Sequence, residues 1–313
     1  MQLSVKNPLV IIIGPTAVGK TQLSLRIAQR LDGEIISADS RLFYRGLDIG
    51  TAKPSPEERK LIKHHLIDIA DPGQTLSLAV FQESVYRISR QLWKLEKTPL
   101  LVGGTGQFIR AIMEGWVIPP QKPDQALRQK IFEWGEAIGP ELLHKKLQMI
   151  DPLAAEKIEA GNLRRTVRAF EVIFSTGDLF SSQRQRKNRG FKYKVVGLKR
   201  DRKALYQRID ERIYKMFADG FVDEVGSLIN QGFSPALPAL SAIGYKEVIA
   251  YLQEKMSMEE VIMLMKRRTR AYARRQANWF KPDDARIKWF EIDDDVESDI
   301  INYIISPKEW MDG

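Results

Sequence analysis

The amino-acid sequence predicts an α/β fold in which a mainly parallel β-sheet is flanked by helices, together with an all-helical insertion domain. Three observations lead to this prediction. The chain opens with an apolar strand, a glycine-rich turn and an amphipathic helix. Further strand-like and helical segments then alternate, which is typical of parallel sheets. The middle of the chain carries helical patterns alone.

Five short apolar or β-branched runs are predicted as strands, at residues 9–13, 34–37, 100–102, 194–198 and 288–292. The first run has no polar residue, which suits a strand buried on both faces. The helix after it carries Leu23, Ile27 and Leu31 at helical spacing, and Gly33 is predicted to end it. These elements are the repeating strand and helix units of the core.

The pattern changes at Pro119 and Pro120 and stays helical until Gly177, interrupted by glycine–proline and aspartate–proline pairs. A basic, polar stretch follows it. We therefore expect two structural units, an α/β core of residues 1–116 and 191–313 with C-terminal helices, and a helical insertion of residues 117–190.

The composition restricts the classes of function. Lysine and arginine number 49 against 40 acidic residues, a formal net charge of +9 in 313 residues. That balance favours a polyanionic partner, although a solvated basic surface has the same composition. The absence of cysteine excludes disulfides, thiolate zinc sites and a cysteine nucleophile. The first apolar run is too short to cross a bilayer, so we expect a cytoplasmic protein.

The turn after the first strand matches the motif G-x-x-x-x-G-K-S/T in full, with Gly14, Pro15, Thr16, Ala17, Val18, Gly19, Lys20 and Thr21. Strand before and helix after are the context that this phosphate-binding P-loop requires. The glycines let backbone amides face an anion, and the helix N-terminus adds its positive dipole end. Lys20 supplies a charge, and Thr21 is predicted to ligate Mg²⁺. The motif predicts a bound diphosphate or triphosphate, as in ATP-binding loops, without naming its carrier.

Asp39 follows the second predicted strand. Ligands of open α/β sheets bind beyond the carboxyl ends of the strands, so this carboxylate is expected beside the phosphate loop. Three interpretations of Asp39 are open: a helix N-cap, a metal-associated acid and a general base. Its position alone does not distinguish them.

Several blocks of the sequence strongly resemble the tRNA dimethylallyltransferases, also called tRNA isopentenyltransferases, in family order along nearly the whole chain. They lie at residues 39–54, 64–68, 101–106, 165–177, 208–212, 242–247 and 274–280. Arg41, Phe43 and Ser241 depart from the residues common at those positions. The cysteine-dependent zinc finger of eukaryotic members is absent, which indicates a bacterial-type enzyme.

The resemblance implies transfer of a dimethylallyl group from dimethylallyl diphosphate to the 6-amino group of the adenosine 3′ to the anticodon of tRNA. It implies that residues 14–21 hold the diphosphate with Mg²⁺, that Asp39 is the general base, and that Thr105 and Arg212 steady the reacting groups. It also implies contact with the tRNA anticodon stem-loop at Asp39, Ser40, Arg41, Leu42, Thr105, Arg128, Arg164, Arg165, Thr166, Val167, Arg168, Ser241, Ala242, Ile243, Gly244, Tyr245 and Lys246.

The basic stretch at residues 266–275 favours contact with RNA phosphates. For the basic residues at 184–189, phosphate contact and a flexible loop are equally supported. Three alternatives stay open: a P-loop kinase of a small molecule, an RNA-binding regulator without transfer activity, and an isopentenyltransferase acting on free adenine nucleotides. We expect a monomer.

Overall fold

The computed structural model describes residue 3 and residues 5–118, 124–182, 187–292 and 296–313. The chain divides into two compact units, one of Met1–Met113 with Asn188–Gly313 and one of Glu114–Lys187. The borders expected from sequence lie three residues further along the chain at each crossing. Four residues singled out in the sequence lie outside the described parts: Pro119, Pro120, Arg184 and Arg186.

The larger unit contains a seven-stranded sheet in the order β3-β2-β4-β1-β5-β6, with β7 beside β5. The strands are β1 (Pro8–Ile13), β2 (Gly33–Ser37), β3 (His64–His65), β4 (Thr98–Gly103), β5 (Lys192–Lys199), β6 (Ile287–Glu291) and β7 (Met311–Asp312). The described pairs are parallel except β5 with β7. The prediction of a mainly parallel sheet is therefore confirmed.

Helices connect the strands and also form the smaller unit. They are α1 (Lys20–Arg30), α2 (Pro56–Leu61), α3 (Leu78–Lys94), α4 (Gly106–Met113), α5 (Gln125–Ile138), α6 (Pro140–Ile150), α7 (Pro152–Ala155), α8 (Leu163–Thr176), α9 (Arg202–Ala218), α10 (Phe221–Asn230), α11 (Tyr245–Leu252), α12 (Met258–Ala277) and α13 (Val296–Ile305). Among the described residues, none of these helices combines the length and apolarity that crossing a membrane requires.

The sheet of the larger unit is buried on both faces. Val10 and Ile12 of β1 pack into one hydrophobic cluster, whereas Leu9, Ile11 and Ile13 pack into another. Successive strand residues point to opposite faces, so an uninterrupted apolar strand needs a core on each side. This burial is what the apolar run in the sequence predicts.

The smaller unit has its own core, in which Ile131, Leu143, Leu147 and Phe170 are packed together. Its described elements between residues 124 and 182 are α5 to α8. Gly177 ends α8 in the left-handed region, at φ +76°, where glycine avoids the strain that a Cβ would cause.

Gly33 does not end α1 as predicted. That helix ends at Arg30, and Gly33 is the first residue of β2. A Cβ at Gly33 would lie 2.6 Å from the carbonyl oxygen of Thr98 on the neighbouring strand, so close strand packing explains the glycine.

Strands β3 and β7 were not among the predicted strands. They have two residues each, too few to show the alternation of apolar and polar residues by which a strand is predicted from sequence.

Candidate active site in the larger unit and arginine cluster in the smaller unit

The phosphate loop spans the residues between β1, which ends at Ile13, and α1, which begins at Lys20. Gly19 has φ +118°, and a Cβ at this position would lie only 3.2 Å from Cδ1 of Ile292. A Cβ at Gly14 would lie 2.8 Å from the carbonyl oxygen of Leu198 on β5. Both motif glycines are therefore required by backbone conformation or by close approach of a neighbouring strand.

The Lys20 ammonium lies inside the curl of this loop. Its Nζ donates to the carbonyl oxygens of Gly14 at 2.8 Å and Pro15 at 2.7 Å. The pKa of Lys20 is lowered from 10.5 to about 8, chiefly by burial; the Asp39 carboxylate opposes this shift, and Arg212 adds to it. The site therefore combines two cations and one anion within electrostatic reach of each other.

Two amides of the loop are bonded within the protein, and one of them is the Val18 N–H, which donates to the Pro15 carbonyl at 3.4 Å. The Thr16 N–H donates to Oε1 of Gln276 at 2.8 Å, and Nε2 of Gln276 donates to the Gly104 carbonyl at 3.1 Å. The expectation that consecutive loop amides all face an anion does not describe Thr16. Gln276, which is buried, instead ties the phosphate loop to the turn after β4. Sequence reasoning assigned no role to it, although it lies in a block that carries the family resemblance.

Three arginines that follow β5 surround the loop. Arg212 donates to the Thr16 hydroxyl at 3.3 Å and to the Thr51 carbonyl at 3.2 Å. Arg208 donates to the carbonyl of Ala17 at 3.0 Å, and Arg200 donates to that of Val18 at 3.4 Å. Burial lowers the pKa of Arg212, and Asp39 opposes that shift. Arg212 was anticipated here, whereas Arg200 and Arg208 were not.

Asp39 is the second residue after β2, and its charge acts on Lys20, Arg212 and Tyr272. Its Oδ1 accepts the Arg41 N–H at 3.0 Å, two residues on. The next helix, α2, begins at residue 56 and is capped by Ser55, so Asp39 is not a helix cap. The carboxylate lies in the crevice that its position after the strand predicts.

Tyr272 of α12 lies close to the Thr105 side chain and within electrostatic reach of Asp39. The Thr105 N–H donates to the Ala38 carbonyl at 3.4 Å, which joins the ends of β2 and β4. Burial first, and then Asp39, raises the pKa of Tyr272 to about 12. Tyr272 therefore keeps its proton at neutral pH and is a further polar residue of the site that the sequence did not reveal.

Arg41 connects the Asp39 turn to the segment before α11. Its guanidinium donates to the carbonyls of Pro238 at 2.9 Å and Ala239 at 3.2 Å, and to the Ser241 hydroxyl at 3.3 Å. Two of the three positions that depart from the family pattern, Arg41 and Ser241, are thus in contact with each other. Ser241 and Lys246 are exposed, whereas the side chains of Ala242 and Tyr245 are buried.

The smaller unit holds the other group of predicted RNA-contacting residues. Arg128 and Arg168 both bind Oε2 of the buried Glu171, at 2.8 and 2.9 Å. Arg164 and Arg165 are exposed at the start of α8. Thr166 and Val167 are buried as whole residues, so neither offers surface to a ligand in this structure.

In the basic stretch on α12, three cations are already paired with carboxylates. Lys266 and Arg270 bind Asp210, at 3.7 and 2.6 Å, and Arg268 binds Glu247. Four residues of the stretch line a groove of about 640 Å³ together with Tyr206 and Tyr214 of α9 and three residues at the start of α12. Arg267, Arg274 and Arg275 are exposed and are not among those three cations, which makes them the better candidates for phosphate contact.

A resident metal centre made of protein ligands is not present among the described residues, which hold no group of three or more His, Asp or Glu side chains suited to a metal ion. Thr21 offers a hydroxyl at the start of α1, and Asp39 offers a carboxylate near Lys20. Mg²⁺ binds proteins through one or two side chains and takes its other ligands from phosphates and water. This donor set fits Mg²⁺ that arrives with a diphosphate.

Comparisons with known proteins identify the family of the chain. Residues 42–283 match the sequence profile of a family described as IPP transferase. A tRNA dimethylallyltransferase of Herpetosiphon aurantiacus is 46% identical over 276 residues, covering 88% of each chain. One of Alkaliphilus metalliredigens is 42% identical over 306 residues, covering 97% of this chain and 98% of its own.

Solved structures give the same answer for the fold. The full-length tRNA isopentenylpyrophosphate transferase of Bacillus halodurans is 39% identical, with a TM-score of 0.71 and 96% of each chain covered. A eukaryotic dimethylallyltransferase described as acting on tRNA is 26% identical, with a TM-score of 0.75, covering 92% of this chain and 74% of its own. Profile, relatives and structures together place the chain in the IPP transferase family.

Proposed function

We propose that this chain is a tRNA dimethylallyltransferase. It transfers the dimethylallyl group of dimethylallyl diphosphate to the 6-amino group of the adenosine 3′ to the anticodon, in tRNAs that read codons starting with U. The products are 6-(dimethylallyl)adenosine and diphosphate. The observation that carries the proposal is one crevice that contains an anion-binding loop, the cations Lys20 and Arg212, and the carboxylate of Asp39.

The cationic side of the crevice suits the leaving group. As the allylic carbon–oxygen bond breaks, negative charge grows on the departing diphosphate. Lys20 and Arg212, held beside the loop in advance, stabilise that charge more than they stabilise the substrate. Thr21 would hold Mg²⁺ that arrives with the diphosphate, and the ion would add further positive charge.

The acidic side suits the nucleophile. The 6-amino group of adenine is a poor nucleophile because its lone pair is delocalised into the ring. A carboxylate that accepts its proton as the new bond forms contributes about 10²–10⁴ in rate. Asp39 is the carboxylate whose charge acts on both cations and on Tyr272. The target base must leave its stack to reach Asp39, at a cost of a few kcal/mol.

RNA recognition is assigned to the predicted contact residues of both units. Arg128, Arg164, Arg165 and Arg168 supply positive charge in the smaller unit. In the larger unit, residues 39–42 and 241–246 are linked by the hydrogen bond from Arg41 to the Ser241 hydroxyl. Single-stranded loops with unstacked bases are the usual targets of sequence-specific RNA recognition, and an anticodon loop is such a target. A monomeric state and a cytoplasmic location stay predictions of the sequence.

Transfer of radiolabel tests the proposal. Purified protein, Mg²⁺, labelled dimethylallyl diphosphate and unmodified tRNA are expected to give label at one adenosine of the RNA. Asp39→Ala should reduce transfer at least about a hundredfold while tRNA binding stays near normal. Asp219→Asn, at an exposed ion pair with Lys215, is the control and should keep full activity.

Two further assays separate the alternatives. Label in free AMP but not in tRNA would favour an enzyme of free nucleotides, and consumption of ATP independent of RNA would favour a kinase. Near-normal turnover by Asp39→Ala would show that the assigned base is wrong.

A further inference from the structure

The carboxylate of Glu224, on α10, accepts hydrogen bonds from a loop far away in sequence. Oε2 accepts the N–H groups of Asp48 at 2.9 Å and Ile49 at 2.6 Å. Oε1 accepts the N–H of Gly50 at 3.2 Å and the hydroxyl of Tyr245 at 2.6 Å. An ionised carboxylate has about four lone-pair sites, so these four donors occupy its capacity.

The loop held by Glu224 leads to the reactive crevice. The residue after Gly50 is Thr51, whose carbonyl accepts from Arg212 at 3.2 Å. The other terminal nitrogen of Arg212 donates to the Thr16 hydroxyl of the phosphate loop at 3.3 Å. Both acceptors are neutral oxygens, so these bonds orient the guanidinium without cancelling its charge. Its positive charge stays available to an anion.

Close packing sets the position of the loop as firmly as the hydrogen bonds do. A Cβ at Gly50 would lie 2.2 Å from Cε2 of Phe221 and 2.6 Å from Cε2 of Tyr245. Burial first, and then Glu224, raises the pKa of Tyr245, so its hydroxyl stays protonated and donates. The three successive amides and one phenol therefore have a single arrangement around the carboxylate.

We propose that Glu224 is a positioning residue for the diphosphate, which fixes the loop of residues 48–51 so that the Thr51 carbonyl aims Arg212 at the phosphate loop. This inference rests on the proposed function, because it assigns the charge of Arg212 to the diphosphate. Charge-assisted hydrogen bonds are about twice as strong as neutral ones, which suits a carboxylate that must hold three backbone amides. A displacement of about 1 Å at a charged group can cost about a hundredfold in rate.

Glu224→Gln tests the proposal with little change in volume. The amide has one oxygen and an NH₂ group that would face N–H donors, so two of the four bonds fail. The expected result is a Kd for dimethylallyl diphosphate, without RNA, raised about tenfold or more, with the Kd for tRNA within about twofold of wild type. Tyr245→Phe removes one donor and should raise the same Kd by a smaller factor. Glu83→Gln, at an exposed ion pair on α3, is the matched control.

A double-mutant cycle with Arg212→Lys distinguishes positioning from general stability. If Glu224 acts through Arg212, the added effect of Glu224→Gln in the Arg212→Lys background should fall to about twofold. Full additivity of the two changes, or equal weakening of diphosphate and tRNA binding, would overturn the proposal. Because the cycle measures binding, it can be read even if the wild-type protein transfers no prenyl group to tRNA, a result that would overturn the proposed function instead.

Discussion

Binding of a diphosphate should be coupled to protonation of Lys20. Burial and Arg212 lower the pKa of Lys20 from 10.5 to about 8 in the free protein. A diphosphate bound beside the ammonium adds negative charge and returns the pKa toward or above its ordinary value. Below pH 8 both forms carry the proton, so the affinity does not depend on this group. Above pH 8 the free protein has lost the proton, and binding must take it up.

The size of the effect follows from the two pKa values. With about 8 in the free form and about 10.5 in the bound form, roughly nine in ten free lysines are neutral at pH 9. Binding then takes up about 0.9 proton, and the Kd is about tenfold higher at pH 9 than at pH 7. The full shift of about 2.5 units would correspond to about 3.4 kcal/mol of affinity.

Titration calorimetry with dimethylallyl diphosphate measures this uptake at pH 9 in two buffers that differ in ionisation enthalpy. Lys20→Met is the comparison, because it removes the titrating group while Arg212 and the loop remain. The wild type should take up close to one proton and the variant close to none. Equal uptake by both proteins, or none by the wild type, would refute the assignment of Lys20 to the diphosphate.

Three other substitutions test separate parts of the structure. Lys194 is buried and donates to the carbonyls of Tyr303 and Ser306 at 2.5 and 2.8 Å. Lys194→Met should therefore lower the free energy of unfolding by about 1–3 kcal/mol, measured by urea titration. An unchanged unfolding midpoint would contradict this prediction. Glu171→Gln removes the carboxylate that two arginines of the smaller unit share. It should weaken tRNA binding several-fold in a filter assay while the Kd for dimethylallyl diphosphate stays constant. Unchanged tRNA affinity would contradict this prediction. Gly104→Ala places a Cβ 2.1 Å from Nε2 of Gln276. It should raise the KM for the prenyl diphosphate at least about fivefold, measured by radiolabel transfer. An unchanged KM would show that the hydrogen bonds of Gln276 are not needed for binding of the prenyl diphosphate.

Much of the fold follows from local patterns in the chain. The apolar run of β1, the glycines and lysine of the phosphate loop and the helical spacing of apolar residues in α1 each depend on residues close in sequence. The backbone can satisfy such patterns in few ways, since the side-chain periods of strand and helix differ. For the same reason the sequence alone predicts that Asp39, which follows a buried strand, lies near the phosphate loop.

The sequence by itself therefore determined the α/β class, the phosphate loop and, through its resemblance, the family. Only the tertiary structure decided which side chains support the site. Gln276 is 260 residues from Thr16, and Glu224 is 174 to 176 residues from the amides that it holds. A hydrogen bond between such distant residues leaves no periodic pattern in the sequence. From sequence alone, a glutamate on an amphipathic helix is predicted to be solvated. Its partner is set only when the strands and helices pack and the loop amides are brought within reach of the carboxylate.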